Sequence, residues 1–294
     1  MKLTDIISSN TFTLSFEVFP PKTNARLESV RQATEEIAAL HPAFISVTYG
    51  AGGSGSRYTL EIARNLQKKG LTEILPHLTC VDAARDEVRQ YLADLREAGM
   101  HNVMALRGDL PEHMTPRMMG NAPYPHAADL IRDIRAAGDF CIGAACYPEV
   151  HPESKNQQDD LLHLKEKVEA GADFLTTQMF FDNNLLYSFL YKLREMGVTV
   201  PVLPGIMPIT SAKQISRART LSGSFMPRRF TALVDRFGSS DAAMQQAGII
   251  YATDQIIDLY ANGIRHVHVY TMNKPEVARA IQANLSEILG RDFQ

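Results

Sequence analysis

The sequence predicts an α/β protein of the (β/α)₈ barrel class, and three observations carry that prediction. Short β-rich runs recur eight times along 294 residues, amphipathic helical stretches separate them, and no Pro/Gly/Ser linker or break in composition divides the chain. With 45% hydrophobic and 21% charged residues there is apolar mass for one large core, and the expectation is a single domain over 1–294.

The first four runs are 13 to 19 (TLSFEVF), 44 to 50 (FISVTYG), 73 to 80 (EILPHLTC) and 102 to 109 (NVMALRGD). The last four are 139 to 147 (DFCIGAACY), 174 to 182 (FLTTQMFFD), 200 to 207 (VPVLPGIM) and 266 to 273 (HVHVYTMN). Between them, ESVRQATEEIAAL and QDDLLHLKEKVEAG repeat apolar residues at helical spacing, and Gly99, Gly138, Gly171 and Gly197 sit where helices end. Side chains alternate between the two faces of a strand. Strand one therefore groups Ser15, Glu17 and Phe19 against Leu14, Phe16 and Val18. Strand two separates Ser46 and Thr48 from Ile45 and Val47, and strand six separates Thr176 and Gln178 from Leu175 and Met179. The polar sets are expected in the lumen, with function at the carboxyl ends of the strands.

Bulk properties remove several classes. A formal net charge of −3 without a dense Lys/Arg run argues against nucleic acid and anionic membranes. No apolar run reaches the ~18 residues of a membrane span, and MKLTDIISSN lacks the features of a secretory signal, so a soluble cytoplasmic protein is expected. Cys80, Cys141 and Cys146 are too few and too irregular for a disulfide framework or a CxxC metal site and read as reduced, packed thiols.

Several local patterns carry chemistry. Glu17 lies among Phe16, Val18 and Phe19 and before Pro20 and Pro21, the apolar setting a general acid needs; the alternative is a structural glutamate paired with a lumen cation such as Arg107. In LRGDLP, Arg107 and Asp109 share a strand face. They form either a mutual salt bridge, or a cation for a phosphate or a partner carboxylate beside an acceptor for heterocycle N–H groups. YGAGGSGS contains Gly50, Gly52 and Gly55 in GxGxxG spacing. It follows the second strand, and a lone glycine triplet is weak evidence, so it is read as a cofactor-approaching loop or plain turn and not as a dinucleotide fingerprint. His266, His268 and His77 raise a metal-dependent barrel enzyme, against core or cofactor-contacting histidines, because no carboxylates accompany them in an evident ligand set. CYPEVHPE and the polar run after it bring Tyr147, His151, Asp160 and Lys167 along a loop stiffened by proline and into a helix, suited to a ligand or to an ordered surface. The Met-rich EHMTPRMMGNAP reads as a mobile loop.

Taken in order, SFEVFPPKT, SVTYGAGGS, PHLTC, ALRGDLP, CYPEVHPE, TTQMFFD and PGIMPI resemble the methylenetetrahydrofolate reductase family, from about residue 13 to 275. The resemblance implies a (β/α)₈ TIM barrel that binds FAD noncovalently, is reduced by NADH or NADPH, and passes hydride to methylenetetrahydrofolate. It implies that Glu17 is the general acid and that Asp109 is the carboxylate near flavin and pterin. Gln178 and Gln214 match contacts to folate or nicotinamide. Thr48, Tyr49, His77, Arg107, Gly108, Asp109, Tyr147, His151, Asp160 and Lys167 match flavin contacts. Such roles suit proton-coupled hydride transfer, in which the flavin carries the redox chemistry. Three positions depart from the pattern. Lys274 replaces an arginine expected at the folate tail, which exchanges a bidentate contact for a point charge. Ala218 replaces an aromatic residue over the nicotinamide or pterin, and His126 a tyrosine beside the flavin.

The resemblance also implies a homo-oligomer and, because the chain ends after the barrel, no regulatory second domain. Two rival classes are a metal-dependent lyase or hydrolase on the same barrel and a noncatalytic folate or flavin carrier. The second has no need for a lumen carboxyl at Glu17.

Overall fold

The computed structural model describes residues 1–49, 55–81, 83–110 and 115–290. Gly50 and Gly52 of the glycine-rich loop, and Pro111, lie outside them.

The strands, in chain order, are β1 Thr13–Val18, β2 Phe44–Val47, β3 Glu73–Thr79, β4 Asn102–Leu106, β5 Cys141–Cys146, β6 Phe174–Thr177, β7 Val202–Leu203, β8 Gly205–Ile206 and β9 His266–Tyr270. All pair in parallel, in the order β7-β6-β5-β4-β3-β2-β1-β9-β8. The two outermost strands in that order are consecutive in the chain. The run read as one strand at 200 to 207 is interrupted at Pro204, which has no N–H to give a ladder. Before it, Val202 stands opposite Leu175; after it, Gly205 stands opposite His268, so the break turns the chain from one neighbour to the other and closes the barrel. Most of the other strands end one to five residues earlier than read, where their side chains turn into the carboxyl-end loops.

Helices α1 Leu3–Ile7, α2 Leu27–Ala38, α3 Gly55–Lys69, α4 Arg85–Glu97, α5 Pro116–Gly120, α6 Ala127–Ala137 and α7 Gln157–Glu169 precede the sixth strand. After it come α8 Asn183–Glu195, α9 Ala212–Ser222, α10 Arg228–Phe237, α11 Asp241–Ala261, α12 Pro275–Asn284 and α13 Ser286–Leu289. Their starts follow local capping chemistry. Asn156 Oδ1 accepts from Asp159 N at 2.9 Å, and Asp182 Oδ1 from Asn184 N at 3.0 Å. Within the Met-rich segment, Thr115 caps α5 and Pro116 begins it, so residues 116–120 form a short helix where a mobile loop was expected.

The alternation along the strands sorts the core. Leu14, Phe16, Val18, Ile45, Val47 and Leu175 belong to the apolar layer beneath the helices, each such burial contributing roughly 1.5–3 kcal/mol. The inward residues at the amino ends form a second apolar cluster of Phe44, Leu75, Met104, Cys141, Phe174 and Leu203, plugged by Leu3 and Ile7 of α1. Gly143 leaves room for this floor, because a Cβ there would stand 2.5 Å from Cζ of Phe174. Asn102 fastens the plug by accepting from Leu3 N at 2.8 Å and donating to the Met1 carbonyl at 3.2 Å. The three cysteines are free and buried, and burial pushes Cys80 up to about 12 and Cys141 to about 11, so both stay as thiols. Among the described residues no helix is long and apolar enough to cross a membrane.

Candidate active site

Above the apolar floor the same strands present polar side chains. Glu17 is nearly buried, 9% exposed, level with Ser46 on one side and Tyr270 on the other. Its Oε2 accepts from Ser46 Oγ at 3.3 Å and lies 3.6 Å from His77 Nε2 and 3.8 Å from His268 Nε2. His268 is itself held at both nitrogens, Nδ1 by Ser15 Oγ at 2.7 Å and Nε2 by Ser46 Oγ at 2.9 Å. A continuous polar chain thus runs Ser15, His268, Ser46, Glu17 across β1, β2 and β9. Burial drives the His77 imidazole down to about 4, against the pull of Glu17, so it is neutral near pH 7. Its Nε2, and Oγ1 of Thr176 on β6, are buried without a hydrogen-bond partner among the described residues.

Both residues line a cavity of about 760 Å³ at the carboxyl ends of the strands. Glu17, Thr48, Tyr49, His77, Arg107, Gly108, Asp109, Tyr147, His151, Asp160, Lys167, Gln178 and Gln214 all line it, so thirteen positions drawn from across the chain converge on one space. Asp109 is exposed at its wall. Gly108 has φ +87° and packs under Thr79, whose Cβ would lie 3.1 Å from an added Cβ; this is the backbone freedom that a close turn at the end of β4 requires. Ala218 and His126 line the cavity too.

Of the positions matched to the folate, one falls elsewhere. Lys274 is not among the lining residues; its Nζ donates to Thr210 Oγ1 at 2.7 Å. Gln214 uses its carbonyl to cap α9, accepting from Thr210 N at 2.7 Å and Ser211 N at 3.1 Å. His266 shares the strand face of His268 but sits at the amino end, its Nδ1 2.8 Å from Thr13 Oγ1. Met179, read as facing the helices, lines the cavity, because β6 ends at Thr177 and the period of two ends with it. Arg107 makes its two-pronged ion pair with Glu153, at 2.5 and 2.7 Å, and not with Glu17 or Asp109.

Cations and burial shape the far side. Lys167, on α7, donates to the Ala145 carbonyl at 3.0 Å, and burial lowers its pKa. His151 is lowered by burial and by Arg107, while burial raises the Tyr147 phenol. No group of three or more His, Cys, Asp or Glu among the described residues is arranged to hold a metal ion.

Residues that the motif reading passed over include Tyr270, Asn273 and Glu153. Tyr270 donates to the Thr177 carbonyl across the lumen, and its parity with His266 and His268 was visible in HVHVY. Met272 and Asn273 both have positive φ, which turns the chain so that Asn273 accepts from Phe19 N and donates to Phe19 O, both at 2.8 Å, fixing the exit of β1 just beyond Glu17.

Fold and cavity define a parallel (β/α)₈ barrel with its ligand pocket at the carboxyl ends of the strands, where barrels of this class do their chemistry. The chain belongs to the methylenetetrahydrofolate reductase family, whose model matches residues 2–286. It is 36% identical over 268 residues to the 5,10-methylenetetrahydrofolate reductase of Pectobacterium carotovorum subsp. carotovorum, covering 91% of this chain and 88% of that protein. Methylenetetrahydrofolate reductase (NADH) 1 of Arabidopsis thaliana is 36% identical over 303 residues, covering 98% of this chain but 51% of the plant protein. Among solved structures, an uncharacterized protein from Clostridium thermocellum that binds two copies of 5-methyl-5,6,7,8-tetrahydrofolic acid superposes with a TM-score of 0.67 at 15% identity, over 98% of this chain and 99% of that one. A 2,3-dimethylmalate lyase superposes with a TM-score of 0.53 at 11% identity, over 99% of this chain and 85% of that one, so the fold alone does not select an activity.

Proposed function

We propose that this chain reduces 5,10-methylenetetrahydrofolate to 5-methyltetrahydrofolate, with FAD as its bound carrier and NADH or NADPH as reductant. The observation that carries the proposal is one cavity joining the buried carboxyl of Glu17, the carboxylate of Asp109 and the amide of Gln178 to the cations Arg107 and Lys167. The family supports the substrate, the folate-binding title of the Clostridium thermocellum neighbour agrees with it, and the plant relatives' names favour NADH.

The residues present fit the flavin. Two buried polar atoms, His77 Nε2 and Thr176 Oγ1, sit at the cavity without hydrogen-bond partners among the described residues, as atoms do when a ligand satisfies them. Thr48, Tyr49, His77, Arg107, Gly108, Asp109, Tyr147, His151, Asp160 and Lys167 would hold it. FAD, when bound, supplies the two-electron transfer that side chains cannot.

The protein's part is position and protons. Glu17 delivers a proton to the amine nitrogen released as the methylene bridge opens, and the Ser15, His268, Ser46 chain orients its carboxyl. Asp109 orients the pterin through its N–H groups and opposes further negative charge on the cofactor. Gln178 and Gln214 position the folate or nicotinamide, Gln214 through the N–H groups its cap leaves available. Lys274, joined to Thr210, is the cation for the folate tail.

The purified protein should be yellow, bleach on reduction, and release intact FAD when denatured. A colourless protein that cannot be reconstituted with FAD would overturn the proposal.

A further inference from the structure

The cavity carries an imbalance of charge that an anionic ligand must overcome. Its lining among the described residues includes the carboxylates Glu17, Asp109, Glu153, Asp159, Asp160 and Glu166, against only Arg107 and Lys167 as permanent cations. Lys167 is half-buried and donates to the Ala145 carbonyl. Arg107 is committed on two edges, Nε to the Gly108 carbonyl at 3.2 Å and the Nη fork to both oxygens of Glu153. A guanidinium recognises phosphate through the same fork that it offers a carboxylate.

Glu153 reaches that fork from a built loop. Val150 turns the chain at φ +81°, a conformation a β-branched residue rarely adopts. Asp160 then holds the segment, accepting from His151 N at 3.3 Å and Ser154 Oγ at 3.0 Å, and Glu153 N donates to His151 Nδ1 at 3.1 Å. The Glu153 side chain itself stays about half exposed, 53%, so it is free to leave without losing packing.

We infer that Glu153 is an internal stand-in for the ligand's phosphate: its carboxylate closes the Arg107 fork until a diphosphate displaces it. This inference rests on the FAD reading for the identity of the ligand and on the Arg107–Glu153 geometry for the mechanism. Glu153 acts through Arg107, as a positioning residue that keeps the guanidinium over the cavity and lowers the affinity of whatever anion replaces it.

The test is a binding titration of the full chain, following flavin fluorescence for FAD and riboflavin and heat for inorganic pyrophosphate. Glu153→Gln keeps the side chain's shape and removes the competing charge. FAD and pyrophosphate should each bind about fivefold more tightly, the scale of a half-exposed ion pair, while riboflavin, which lacks phosphate, should bind as before. The gain should vanish when Glu153→Gln is made in an Arg107→Gln background, and Glu166→Gln, an equal loss of charge elsewhere on the wall, should give less than half of it.

Weaker FAD binding by Glu153→Gln, an equal gain from Glu166→Gln, or a gain that survives Arg107→Gln would each overturn the inference. Pyrophosphate keeps the two readings apart. If FAD is not bound but pyrophosphate is, and more tightly by Glu153→Gln, the flavin reading fails and the role of Glu153 stands. If FAD binds and neither affinity changes, the role of Glu153 fails alone; if neither anion binds, both fall.

Discussion

At the amino end of the barrel the inward positions are Phe44, Leu75 and Phe174; two residues further along the same strands they are Ser46, His77 and Thr176, and two further still Thr48, Thr79 and Gln178. One backbone geometry therefore serves two purposes. The lower layer, sealed by Leu3 and Ile7, is apolar and close-packed, so its cost of change is set by volume. The upper layer keeps buried polar atoms of His77 and Thr176 without a hydrogen bond among the described residues, a cost of about 1–3 kcal/mol for each such atom that a packed core would not carry. Within one lumen, stability belongs to the floor, and the proposed chemistry to the rim.

Cutting the floor should have the largest effect. Phe174 is fully buried against Gly143, and Phe174→Ala should lower the free energy of unfolding by about 3–5 kcal/mol in a urea titration. The flavin half-reactions, measured per folded molecule, should stay within about twofold of the parent. A catalytic loss larger than the folded fraction explains would break the division between the layers.

A change at the rim should do the reverse. Asp109→Asn keeps size and hydrogen bonding but removes the anion at an exposed position, so stability should hold within about 0.5 kcal/mol. Folate turnover should fall on the order of 10²-fold, the scale of one electrostatic contact in an active site. The flavin should also become easier to reduce, as read by dye equilibration; an unchanged potential removes Asp109 from its electrostatic role.

The smallest expected effect sharpens the boundary through pH. His77 sits near 4 when folded, against 6.5 for the free side chain. Below about 6.5 the unfolded chain takes up a proton that the folded one refuses. The stability from the neutral ring is therefore full above 6.5 and is lost as pH falls through about 4. His77→Gln should flatten the acid limb of stability between those values in flavin-free protein. An unaltered limb would mean that His77 titrates as it does in water.

The division between lumen and helix-facing layer was legible from period-two alternation, which sorted Ser15, Glu17, Ser46 and Thr176 from Leu14, Phe16, Ile45 and Leu175 without reference to any neighbour; the split of the lumen into floor and rim was not, because Phe44 and Ser46 share one parity. What alternation misses begins where a strand stops. Met179 turned inward because β6 ends two residues earlier, and Pro204 split one run between two neighbours, which a local pattern cannot express. The partner of Arg107 lies 46 residues away on a loop, so a charge visible in the motif gained its meaning only from tertiary structure. Lys274 and Gln214 likewise share Thr210, a contact across 64 residues for the lysine, which no spacing rule predicts.

If the proposed chemistry rests on the Glu17 carboxyl at the rim, the two half-reactions should respond differently to its loss. Glu17→Gln preserves the shape of the side chain but cannot donate a carboxylic proton, and only the folate half-reaction needs one. Anaerobic stopped-flow follows flavin bleaching by NADH and then flavin reoxidation by methylenetetrahydrofolate. Bleaching should stay within about twofold of the parent and reoxidation should slow by about 10²- to 10⁴-fold, the usual worth of general acid catalysis. Equal slowing of both steps, or reoxidation at the parental rate, would make Glu17 a structural residue and not the acid.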